Sequence, residues 1–302
     1  MIINKRNCFA HFKPRAQIWR IILGATLALS VYGLGMLGLG FTFGYLGFLS
    51  AGFENGRNAQ DLAILLLTFF PMWLGLALVV RYIHKMPFQT LFGSDLRFNW
   101  RHFWIGALTI LGFALGYELI WHSINFVFLA NDYYAFNTAL TFWPSFLWSL
   151  PIFVLLFVQI GAEELFFRGY LLQTITARGG GFLIAGGLPS LVFGLGHFDP
   201  QFGTNAYFYV LNTTVVGIIL CRITLRTGNI GAAFGLHFAN NFVVCFLLGI
   251  EGHLDAMALF RAEIDLTSPV LGLGMLVHTV FLILLYVLWE SRFAPKDKDV
   301  RL

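Results

Sequence analysis

Hydrophobic residues in this 302-residue chain fall into long runs separated by short polar connections. Eight runs reach or approach the roughly 20 residues that a helix needs to cross a bilayer. They lie near residues 18–46, 61–81, 103–125, 144–177, 181–199, 205–225, 229–250 and 268–290. The run at 144–177 is long enough to extend past the hydrocarbon, and the run at 181–199 is diluted by glycine. The pattern predicts an all-α fold, a polytopic membrane bundle of about eight transmembrane helices.

Composition agrees with that reading. Hydrophobic residues make up 58% of the chain and charged residues 11%, with a mean hydropathy of +0.76, against the roughly 25% charged content of soluble domains. Charge placement supplies the orientation, because cytoplasmic loops carry the excess of Lys and Arg. With the N-terminus inside, all 19 Lys and Arg except Arg57 and Arg261 fall in inner segments. Eight spans with both termini cytoplasmic preserve that asymmetry, so the net charge of +4 reports topology and implies no nucleic-acid partner. The first run follows a basic segment but is much longer than the apolar region of a signal peptide, and we read it as an anchor. Cys8, Cys221 and Cys245 have no paired spacing and suggest neither a disulfide framework nor a metal site. The polar connections at 82–102 and 251–267 read as loops within one domain spanning 1–302.

Against this apolar background, Glu163, Glu164 and Arg168 stand out. An ionisable side chain at the bilayer centre costs about 2.5–3.5 kcal/mol on insertion scales, so an acidic pair there is a functional hypothesis. Residues four apart share a helix face, whereas adjacent ones diverge by about 100°. Glu164 therefore pairs with Arg168 and neutralises it, leaving Glu163 free to accept and return a proton. The plainer alternative is a buried packing network of all three. Two later runs add polar groups. His197 follows Phe193 by four residues, and His237 precedes Asn241 by four. A carboxamide donates without ionising, so His237 and Asn241 suit oxyanion stabilisation, although helix-packing hydrogen bonds also explain them and Asn240 offers an equivalent amide. Glu118 and His122, four apart on the third run, read as a local pair, and His278 stands alone on the eighth. Depth leaves one tension. Glu163 and His237 fall mid-membrane, but His197 comes some 15 residues after the Gly179-Gly180-Gly181 turn, toward the outer side.

The ordered combination of EExxxR at Glu163, Glu164 and Arg168, FxxxH at Phe193 and His197, and HxxxN at His237 and Asn241 resembles the CPBP family of intramembrane proteases. That family includes the type II CAAX prenyl endopeptidases and the bacterial Abi-type proteins, and its core corresponds to about residues 140–250. The resemblance implies peptide-bond hydrolysis within the membrane. Glu163 and His197 would activate a water, and His237 and Asn241 would stabilise the oxyanion. It also implies a membrane-embedded or lipidated, possibly CAAX-type, peptide substrate, and an integral protein of the inner or plasma membrane. The family is also described as metalloproteases, and Glu163, His197 and His237 could supply three zinc ligands with an open fourth position. Asparagine is a poor zinc ligand and a good oxyanion donor, which favours the metal-free version. The alternative to an enzyme is a membrane transporter or an immunity or scaffold protein using buried Glu and His as a proton relay or structural network.

Overall fold

A computed structural model describes residues 9–128 and 134–293. Cys8, the basic residues Lys5, Arg6, Lys296, Lys298 and Arg301, and the side chains of His122 and Arg292 lie outside the described residues. The bundle is built from α1 (Ile18–Tyr45), α2 (Ala59–Ile83), α3 (Trp100–Phe128), α4 (Phe142–Ala177), α5 (Leu183–Leu195), α6 (Asn205–Thr227), α7 (Gly231–Leu247) and α8 (Pro269–Phe293). Each follows one of the eight apolar runs, and the membrane bundle expected from the sequence is the fold observed. Among the described residues, six helices are long and apolar enough to cross a bilayer, while α5 and α7 are shorter. At 1.5 Å per residue these two reach only about 20–25 Å, less than the ~30 Å of hydrocarbon.

The helices alternate in direction, so the connections gather at two ends. At one end, which we call the turn end, the loop after α2 is laced to the α6–α7 turn. Ile230 N donates to Phe92 O at 3.0 Å, Ser94 N to Gly228 O at 2.8 Å and Asn229 Nδ2 to Arg97 O at 2.7 Å. Gly93 adopts φ 131° against the Gly228 carbonyl, a left-handed conformation and a close approach that a Cβ would forbid. At the other end, three short strands, β1 (Tyr134–Phe136), β2 (Leu248–Ile250) and β3 (Phe260–Ala262), form a sheet of order β1-β3-β2. The pairing is antiparallel for β1–β3 and parallel for β2–β3. The sequence reading had no strands. Pairing satisfies the backbone of these loop segments, which run too far for a helix to continue.

Helix contacts in the second half rely on small residues. In α3 and α7, Gly106 faces the Ala232 carbonyl and Gly235 faces the Phe103 carbonyl, so each helix presents a glycine to the other's backbone. In α5 and α6, Gly194 faces Val210 and Thr214 while Gly217 faces Ser190. Without a hydrophobic driving force between helices in lipid, such close approach supplies the packing contacts.

Arg168 departs from the sequence reading in one respect. The charge count places it with the inner segments, but it is fully buried within the bundle and says nothing about loop orientation.

Candidate active site

Glu163 and Glu164 end the regular part of α4, and the next seven residues, Leu165–Leu171, form a π-turn that carries Arg168. Such widened turns are frequent at functional sites. As the spacing predicts, Arg168 Nη1 donates to Glu164 Oε1 at 2.7 Å, with both side chains at most 1% exposed. The same carboxylate oxygen also accepts from His237 Nδ1 at 2.8 Å. Glu164 therefore does more than neutralise an arginine: it orients an imidazole on α7.

With Nδ1 held as a donor, His237 presents Nε2 as its basic nitrogen. That nitrogen lies 3.5 Å from Glu163 Oε2. Two carboxylates thus share one guanidinium and one imidazole across α4 and α7. The other Glu163 oxygen accepts from Gln159 Nε2 at 2.8 Å, and Gln159 Oε1 in turn receives Asn241 Nδ2 at 3.4 Å. Asn240 Nδ2 donates to Asn241 Oδ1 at 3.1 Å. Sequence reasoning passed over Gln159, although it lies four residues before Glu163 on the same helix face, the spacing that paired Glu164 with Arg168.

His197 sits in the turn just beyond α5, with Nδ1 on Phe193 O at 2.8 Å, which likewise leaves Nε2 as the basic nitrogen. Its depth tension resolves through helix length. Glu163 lies 14 residues before the end of α4 and His197 lies 14 residues after the start of α5, so both stand about 21 Å from the turn joining them. Phe193 explains the first position of its motif. Its ring touches Arg168 (4.9 Å), His197 (4.6 Å) and His237 (5.8 Å), so it is the packing centre of all three motifs. Among the described residues no hydrogen bond or ion pair joins His197 to Glu163 or His237, and the two groups expected to activate a water share the cavity without a direct bond.

Glu163, His197, His237, Asn240, Asn241 and Gln159 all line one cavity of about 1720 Å³. The zinc alternative required Glu163, His197 and His237 to converge. Among the described residues no three His, Cys, Asp or Glu are grouped to hold a metal ion. The imidazoles have the oriented Nδ1 that zinc ligands use, but the third ligand is not gathered to the other two, so the residues as placed do not fit a three-ligand zinc site. Cys221 and Cys245 are buried and free.

Residues 143–243 match the family model described as "Type II CAAX prenyl endopeptidase Rce1-like". That segment holds every residue of the three motifs and agrees with the resemblance to the CPBP family. The chain is also 32% identical over 182 residues to the uncharacterized protein YyaK of Bacillus subtilis (strain 168), a match covering 58% of this chain and 56% of that protein.

Proposed function

We propose that this chain is an intramembrane endopeptidase that cleaves a peptide bond of a membrane-associated substrate with water activated at Glu163. One observation carries the proposal. The half-buried carboxylate of Glu163 faces a basic imidazole nitrogen at 3.5 Å on one side and is tied through Gln159 to the amide of Asn241 on the other, all in the lining of one cavity. Glu163 and His237 both have acceptor character across that gap, so a water donating to either is held where its proton can be removed. The proton passes to the Glu163–His237 pair and then to the leaving amine. Glu164 and Arg168 hold His237 in the required tautomer, acting through it rather than on substrate.

Asn241, with Asn240 beside it, supplies amide donors to the developing oxyanion in a water-poor cavity, where fixed dipoles act more strongly than in bulk. His197 faces the same cavity with a basic Nε2 and serves as the second imidazole, reaching the reacting group across the substrate rather than through Glu163. No step is routed through a metal. The Rce1-like match makes a CAAX-type substrate the first class to try.

The test compares membrane proteomes of cells carrying the intact chain with those carrying Glu163→Gln, looking for a peptide whose release depends on that carboxylate. Identical peptide profiles would overturn the reading in favour of a proton relay or scaffold.

A further inference from the structure

The cavity has a second polar end that the proposed hydrolysis does not use. Glu118 lines it, 18 residues along α3 from Trp100, about 27 Å from the turn end. Among the described residues, one Glu118 oxygen is buried with no hydrogen-bond partner, and the carboxylate is hydrogen-bonded by Tyr134 of β1. An ionised carboxylate can accept about four hydrogen bonds, so its capacity is far from filled.

Aromatic rings line the same cavity. Tyr117 and Trp121 stack at 6.3 Å, and His278 of α8 stands edge-on to Tyr117 at 5.1 Å. His278 Nδ1 is occupied by Asn212 at 3.1 Å, and the Tyr117 hydroxyl by Gly274 O at 2.9 Å. Among the described residues that line the cavity, Arg101 is the one Lys or Arg, 17 residues and about 25 Å away along α3. Arg261 lies in the covering sheet, but it alternates with Ala262, which lines the cavity opposite Tyr134, and it pairs with Asp255 at 2.8 Å.

We propose that this end of the cavity is a subsite for one cationic group, the ammonium or guanidinium of a basic side chain on a membrane-inserted peptide. A carboxylate with spare acceptor capacity in a cavity that aromatic rings also line can hold a cation through charge and ring quadrupole together. The sheet covers the site, with Tyr134, Ile250 and Ala262 on its cavity face. The carboxamides of Gln159, Asn240 and Asn241 elsewhere in the same cavity match a peptide backbone rather than an acyl chain. The inference concerns binding and does not depend on cleavage.

The experiment measures binding of two fluorescent, otherwise identical apolar peptides of about 20 residues, one carrying a central lysine and the other norleucine, to the purified full chain in an uncharged detergent. The lysine peptide should bind about tenfold more tightly, Glu118→Gln should erase that preference while leaving norleucine-peptide binding unchanged, and Glu163→Gln should keep it. Equal affinities for the wild-type chain would overturn the proposal without any variant. A preference that persists in Glu118→Gln protein still binding the norleucine peptide would overturn it too. Displacement of the lysine peptide by dodecylphosphocholine at the peptide's own concentration would reassign the carboxylate to a lipid headgroup.

Discussion

Gln159 joins two helices into one reactive group, since its amide donates to Glu163 on its own helix and accepts from Asn241 on α7. Its replacement by leucine keeps the volume and removes both bonds. Turnover should fall about 10²-fold through misplacement of Glu163, with little change in KM, as steady-state kinetics on a released-peptide assay would read. Glu163→Gln keeps shape and removes the proton acceptor, so it should abolish hydrolysis in protein that remains folded; wild-type turnover in that variant would refute the assignment of the base. Asn241→Ala should lower kcat by about 10²–10³, the usual effect of losing one oxyanion donor. Chelation should leave activity intact. A zinc bound at one per chain and lost together with activity would reverse the roles given to His197 and His237.

Between elements, the contacts that hold the site are buried and specific. Glu164 is wholly buried and serves both Arg168 and His237, so Glu164→Gln leaves a guanidinium uncompensated, at a cost of about 3–5 kcal/mol. Detergent-based unfolding should show that loss, whereas Glu163→Gln should not. His84, just past α2, ties the N-terminal segment to α4 through Arg15 O at 3.0 Å and the Tyr170 hydroxyl at 3.1 Å. Burial, with Arg20 and Arg15 nearby, pushes its pKa down to about 4 from an ordinary 6.5. A histidine held neutral in the fold takes up protons more readily when unfolded. Its contribution is therefore full above about pH 6.5, declines as pH falls, and is lost by about pH 4. Thermal unfolding of the wild type should fall more steeply over that window than unfolding of His84→Asn.

For the molecule as a whole, the expected arrangement has the turn end in the cytoplasm. Reporter fusions within 82–102 and at the α6–α7 turn should read cytoplasmic, and fusions within 51–60 and 251–267 should read external. A cytoplasmic signal from 251–267 would invert the bundle. Much of the architecture was legible beforehand because a spanning helix must satisfy its backbone internally and present apolar side chains to lipid, a requirement visible in local composition. The three strands were not legible, since three-residue segments in polar loops carry no usable period and acquire their partners only when α4, α7 and α8 bring them together.

What the sequence by itself determined was the membrane class, the eight apolar segments, the pairing of Glu164 with Arg168, and the three motifs that hold the candidate site. All of these are local, resting on hydropathy or on the four-residue period of a single helix. Only the tertiary structure decided which imidazole meets Glu163, because that depends on how far α7 and α5 slide and rotate against α4. It put His237 there and left His197 hydrogen-bonded to its own Phe193 carbonyl in the lining of the same cavity. It also gave Glu164 its second partner, made Phe193 the centre of the three motifs, and left Glu118 in the cavity wall with an unfilled carboxylate. Contacts between helices are set by offsets of a few ångströms, and no periodicity along one chain segment encodes the offset to another.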